Sequence, residues 1–323
     1  MRLSWIDLTI VVGYVAATLL AGVLARRSIR GIADFLVAGR SLGTHMGAAS
    51  MISTGLGLVT IMYFAEEGFR NGFAPFIIGV IAALTQMVVG RTGFIISRLR
   101  HLRVMTVPEF YEIKYSRGVR LLGGCILAIA GTINMGLFPI LGSKFVVGFT
   151  GLPQESVNYV MIAMLVVVVL YTLMGGMVSV VLTDFAQYIL LSIGFLFGTY
   201  FILTAPELGW DRIVDAVERH HGLAGFDPLH NDAFGWTFIS YFICISFFVI
   251  LWQPELTRAL SAQSSRVARR VFWVQSGTAV GRAVIPMLWG AAALAYFNDP
   301  GHDGQSAMPE MMGALLPVGL AAR

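Results

Sequence analysis

Eight runs of roughly 20 mostly apolar residues follow one another along this chain of 323 residues, at 5–25, 44–66, 72–97, 119–142, 157–175, 177–204, 235–256 and 271–297. Most of the charges lie outside them. About 20 such residues are what a helix needs to cross the hydrocarbon of a bilayer. Within that hydrocarbon each backbone N–H and C=O must be bonded inside its own segment, so the runs are expected to be helices. With 57% of its residues hydrophobic and 12% charged, against about 25% charged in soluble domains, the chain reads as an all-α polytopic membrane protein. A ninth run begins at Pro309 and stops before it is long enough to cross, so the sequence reads as truncated after the eighth span.

The basic residues orient the spans. Segments 26–43, 91–120 and 257–270 hold fifteen of the 22 lysines and arginines, whereas Arg2, Arg70, Lys144, Arg212 and Arg219 fall on the opposite side. The more basic side is expected to face the cytoplasm. That puts the N-terminus outside and predicts a multi-pass protein of the plasma (inner) membrane. The first run is followed by Arg26, Arg27 and Arg30, which marks an anchor rather than a cleaved signal.

The net charge of +4 is spread over these loops, and nucleic acid is excluded as a partner. No P-loop, nucleophile elbow or His-Glu-x-x-His pattern is present, so neither an enzyme nor an ATP-driven pump is expected. Cys125 and Cys244, far apart in apolar runs, read as packing residues. His220, His221 and His230, with Asp227 and Asp232, fall in the exterior segment 205–234 and match no compact ligand spacing.

Two places within the spans carry groups that lipid does not readily accept. Ser53-Thr54-Gly55-Leu56-Gly57 interrupts the second run, and each glycine there costs a helix about 1 kcal/mol relative to alanine. The small residues either permit close helix packing or unwind the helix, leaving carbonyls as hard oxygen ligands for a small cation. Thr183 and Asp184 sit inside the sixth run, where a carboxylate costs at least about 2.5 kcal/mol. Asp184 is either on an ion's path or paired with a buried cation, for which Arg282 in the eighth run is available. Pro254, after Trp252-Gln253, reads as the boundary ending the seventh span.

Several segments in order resemble the sodium:solute symporter family. They are Asp34-Phe-Leu-Val-Ala-Gly-Arg-Ser-Leu42, Thr106-Val-Pro-Glu-Phe110, the stretch from Tyr171 to Gln187 with Thr-Asp-x-x-Gln, and Gln253-Pro254 followed by Arg258. The resemblance implies a LeuT-like inverted-repeat core. Residues 1–43 would be a leading helix and cytoplasmic loop, 44–204 the first five-helix repeat, 205–234 an extracytoplasmic loop, and 235–323 an incomplete second repeat.

It also implies sodium as coupling ion, with no other cofactor or metal. The principal site would use the carbonyls of Ser53 and Leu56, Thr183 and Asp184 would serve sodium passage or a second position, and the remaining ligands would come from a core helix starting at Pro309. The solute would sit beside the ion, with Gly55, Gly57, Thr60, Ser246 and Ile250 as its candidate contacts. Sugar is disfavoured, since sugar-carrying relatives place polar amides in the first core helix and a Glu in the second, where this chain has Gly55, Thr60 and an apolar run at 79–83. The Gln253-Pro254 wording leans toward an amino acid or organic acid. The expected function is therefore sodium-coupled import of a small polar solute by alternating access. Two other readings stand beside it: the membrane sensor part of a symporter–histidine kinase fusion, with a cytoplasmic signalling domain, and a non-functional fragment.

Overall fold

The computed structural model describes residues 5–26 and 29–315. In chain order they form α1 (Trp5–Arg26), α2 (Ile32–Val37), α3 (Thr44–Gly55), α4 (Leu58–Asn71), α5 (Phe76–Thr92), α6 (Ile96–His101), α7 (Val107–Lys114), α8 (Arg117–Thr150), α9 (Val157–Thr204), α10 (Trp210–His221), α11 (Trp236–Val249), α12 (Gln253–Ser261), α13 (Ser265–Phe297) and α14 (Gly304–Leu315). Serines start the two long polar-ended helices: Ser116 Oγ accepts from Val119 N–H at 3.4 Å and Ser264 Oγ from Val267 N–H at 3.2 Å. Thr106-Val-Pro-Glu109 is a helix-start device. Thr106 Oγ1 accepts from Glu109 N–H while the Glu109 carboxylate accepts from Met105 N–H at 2.6 Å, with proline in the first turn where no N–H is needed.

α13 is the central element, packed against α5, α4, α3, α10 and α14. Its Gly290 meets the carbonyl of Ala65, and Gly68 of α4 meets Met287, so closely that a methyl group on either glycine would collide with backbone. Small residues thus set the α4–α13 crossing. Ala291, Ala292, Ala293 and Leu294 are fully buried beneath it with Phe69, Met308 and Met311.

The eight apolar runs all fall on helices, and several smaller expectations are corrected. Among the described residues three helices are long and apolar enough to cross a membrane (Arg117–Gly148, Gly176–Thr204 and Ser265–Phe297). Two further runs are bent pairs, α3–α4 at 53° and α11–α12 at 46°, and the remaining three fall in α1, in α5 and in the first part of α9, which breaks at Gly176 (φ 50°, ψ −149°). Pro254 does not end its span. It lies in the first turn of α12, where a missing N–H costs nothing, and the helix continues to Ser261. Pro309 likewise falls inside α14, which starts five residues earlier at Gly304.

The segment 205–234, expected to be exterior, is not a plain loop. α10 buries Ile213, Ala216 and Val217, each large side chain contributing about 1.5–3 kcal/mol. The segment's histidines bond within the protein: His221 Nε2 reaches Phe69 C=O of α4 at 3.3 Å, and His230 Nδ1 bonds its neighbour Asp227 Oδ2 at 2.6 Å. Cys125 and Cys244 are exposed rather than packed, because they fall on the outward faces of α8 and α11.

Candidate functional site

The second apolar run unwinds where its glycines fall. α3 stops at Gly55, Leu56 N–H closes a short turn onto Ser53 C=O at 3.0 Å, and Gly57 is extended at φ −58°, ψ 151°. Gly57 C=O then receives the N–H groups of Thr60 and Ile61 at 2.9 and 3.2 Å to restart α4. The break brings backbone oxygens into the body of the bundle, where a helix would have hidden them. Ser53 C=O keeps a second lone pair after bonding Leu56, so its chemistry and that of Leu56 C=O fit a small hard cation.

Beside this break α3 and α9 are joined by two matching rungs. Ser50 Oγ donates to Asp184 Oδ2 at 2.5 Å, and one turn further Ser53 Oγ donates to Gln187 Oε1 at 3.4 Å. Residues three apart share a helix face, so Thr-Asp-x-x-Gln presents Asp184 and Gln187 together to Ser50 and Ser53. Gln187 Nε2 donates onward to the Tyr14 hydroxyl of α1 at 2.6 Å. Thr183 is buried but points elsewhere, its hydroxyl bonding Val180 C=O of its own helix at 2.9 Å.

Asp184 pairs with Arg258 and not with Arg282. Arg258 Nη2 and Nε donate to Asp184 Oδ2 at 2.7 and 3.3 Å, Nε also reaches Ser50 Oγ at 2.9 Å, and Nη1 reaches Pro254 C=O at 2.8 Å. Both partners are 7% exposed. Among the described residues every hydrogen bond to the carboxylate falls on Oδ2 and none on Oδ1. Arg282 lies instead against the break, where a Cβ on Gly55 would come within 2.9 Å of its Cζ. Its Nη1 is buried with no hydrogen-bond partner among the described residues, and the charge facing it is that of buried Glu255. Two acids and two arginines therefore gather around α3, α9, α12 and α13. Such charges are tolerated at this depth only as partners.

The proposed solute contacts are less closely gathered. A side chain on Gly57 would touch Phe138 of α8 at 3.6 Å, and Thr60 stands in the first turn of α4. Ser246 is buried, its hydroxyl donating to Phe242 C=O at 2.6 Å and leaving its lone pairs as acceptors. Ile250, 3% exposed, belongs to an apolar cluster with Met51, Leu256 and Phe272. Reading the sequence alone missed Ser50, Gln187 and Tyr14 as site members. The three-residue spacing shared by the two serines and by Asp184 and Gln187 was the available signal.

Comparison with known proteins agrees with this architecture. The model of the sodium:solute symporter family matches residues 35–322. The sodium/glucose cotransporter of Vibrio parahaemolyticus is 26% identical over 233 residues, covering 68% of this chain and 41% of its own length. The high-affinity choline transporter 1 of Drosophila melanogaster is 26% identical over 285 residues (84% and 42%), and the sodium-coupled monocarboxylate transporter 1 of Xenopus laevis 29% identical over 165 (50% and 25%). The chain spans less than half the length of these curated relatives. In structure it resembles a Na+-coupled sialic acid symporter solved in a substrate-bound outward-open state, with a TM-score of 0.85 and 19% identity over 98% of this chain and 68% of that one. The fold is therefore the LeuT-like one.

Proposed function

We propose, since the chain belongs to the sodium:solute symporter family, that the protein is a secondary transporter importing a small polar solute together with sodium. Members of this family are integral membrane transporters rather than enzymes. The observation that carries the reading is the break at Leu56–Gly57, an unwound segment held against a polar ladder in an otherwise apolar bundle. Sodium would take the carbonyls of Ser53 and Leu56. Thr183 and Asp184 would lie on its path, Asp184 through the free Oδ1. Gly55, Gly57, Thr60, Ser246 and Ile250 would line the solute's place between the two bent pairs.

In this layout residues 44–204 act as one five-helix repeat and 235–323 begin the second, with 1–43 leading in and 205–234 outside. The N-terminus faces the exterior of the plasma (inner) membrane. One monovalent cation falling through 100 mV releases about 2.3 kcal/mol before any concentration term, enough for a roughly 50-fold solute gradient. The solute class leans toward amino or organic acids.

Reconstitution in proteoliposomes with a panel of choline, hexose, proline and monocarboxylates tests this. An inward sodium gradient should accelerate uptake of one class. If no class responds to sodium, or a proton gradient replaces it fully, the reading is wrong.

A further inference from the structure

On the basic face of the molecule, the loop at Gly39–Ser41, the end of α6 and the start of α13 enclose a polar cavity of 450 Å³, faced by Arg40, Arg100, His101, Arg103, Ser264 and Ser265. Its walls are tied together. Leu42 N–H donates to Ser261 C=O and Gln263 N–H to Leu42 C=O, both at 3.0 Å, while Gln263 Nε2 reaches Ser41 C=O at 2.9 Å. Arg100 donates to Ala262 C=O at 2.8 Å and Gln263 C=O at 3.1 Å, and Arg40 to Arg103 C=O.

All these acceptors are neutral. None of the ion pairs among the described residues involves Arg40, Arg100 or Arg103, and Asp34, which approaches Gly39, accepts from Arg30 N–H at 2.9 Å. Burial holds the Arg100 pKa below its ordinary value, and the charges of Arg40 and Arg103 push it the same way. Arg40 and Arg103 have left-handed backbones, φ 58° and 55°, which non-glycine residues seldom adopt. The fold thus holds converging positive charges against local preference, at the N-terminus of a 33-residue helix whose dipole also favours an anion. Basic residues that only orient spans are scattered over loops; these converge on one cavity.

We propose that Arg40, Arg100, Arg103 and the Ser264–Ser265 helix start form a binding site for a phosphate-bearing anion. The anion is either the headgroup of an anionic lipid or a free phosphate. The site does not depend on the transport reading.

The test uses the full chain in uncharged detergent. Binding of phosphatidylglycerol and of phosphatidylcholine is followed by native mass spectrometry, and inorganic phosphate is titrated against the unfolding temperature. Phosphatidylglycerol, phosphate or both should bind, in preference to phosphatidylcholine. The double variant Arg40→Gln/Arg103→Gln and the single variant Ser265→Asp should each weaken binding by about tenfold or more, since charge-assisted hydrogen bonds are lost or opposed. Arg98→Gln, an exposed arginine of α6 outside the cavity, should change nothing.

Binding of the lipid alone identifies a headgroup, and equal response to inorganic phosphate identifies a soluble ligand. Should the double variant fail to fold, Ser265→Asp decides, because an acid in the first turn suits the helix. Wild-type binding by Ser265→Asp, an equal loss in Arg98→Gln, or no binding of either probe overturns the proposal.

Discussion

Asp184 receives three hydrogen bonds on a single oxygen, two of them from one guanidinium. Breaking a buried pair by removing one partner leaves an uncompensated charge and costs about 3–5 kcal/mol. Arg258→Gln should therefore lower the unfolding temperature sharply, and adding Asp184→Asn should restore much of the loss. A thermal-unfolding double-mutant cycle reads this directly, and additive effects would mean the pair is not coupled. That a carboxylate at 184 needs a partner was legible in the sequence, because it interrupts an apolar run. Its partner was not, since it comes from 74 residues away on a stretch that Pro254 made look like the end of a span. Arg282 stood out only because it too interrupts an apolar run.

Helix contacts differ in how much they forgive. At Gly290 and Gly68 an added methyl meets backbone of the facing helix, which has nowhere to go, so Gly290→Ala and Gly68→Ala should each cost about 1–3 kcal/mol as overpacking. At Gly55 the nearest atoms belong to the tip of Arg282, a side chain that can swing. Gly55→Ala should then leave the unfolding temperature within a few degrees of wild type, while both other variants fall; equal losses at all three would contradict the crossing. The break at 55–57 was readable from its glycines, but the bend between α11 and α12 was not, because a proline marks a helix start as readily as an end.

α10 docks through His221, whose ring bonds Phe69 C=O. Burial lowers its pKa, with His220 adding to the effect and the Phe69 bond opposing it. Between the lowered value and about 6.5 the unfolded chain binds a proton that the folded chain refuses. Stability from this contact is thus fully present above about pH 6.5 and declines as pH falls through that window. His221→Gln should flatten the wild-type decline between about pH 7 and 5 in thermal unfolding; an unchanged slope would place the titration elsewhere.

At the scale of the molecule, two bent helix pairs, 53° and 46°, frame the polar cluster. The Asp184–Arg258 pair joins α9 to α12, so under the proposed division into two repeats it sits where they would have to move apart in alternating access. On the proposed reading, such a pair would set sodium affinity by its charge balance as well as its geometry. With both partners present the carboxylate is neutralised at Oδ2. Removing Arg258 unmasks a negative charge on the proposed ion path, and removing Asp184 leaves an uncompensated positive one. The two variants are therefore expected to move the sodium half-activation of uptake in opposite directions: Arg258→Gln to lower concentration, Asp184→Asn to higher, each by about tenfold or more for a charge change at close range. A pair that only holds helices together would lower the maximal rate in both variants and leave half-activation where it was. Shifts of the same sign would place the sodium path away from Asp184 without bearing on the proposed carbonyl ligands Ser53 and Leu56.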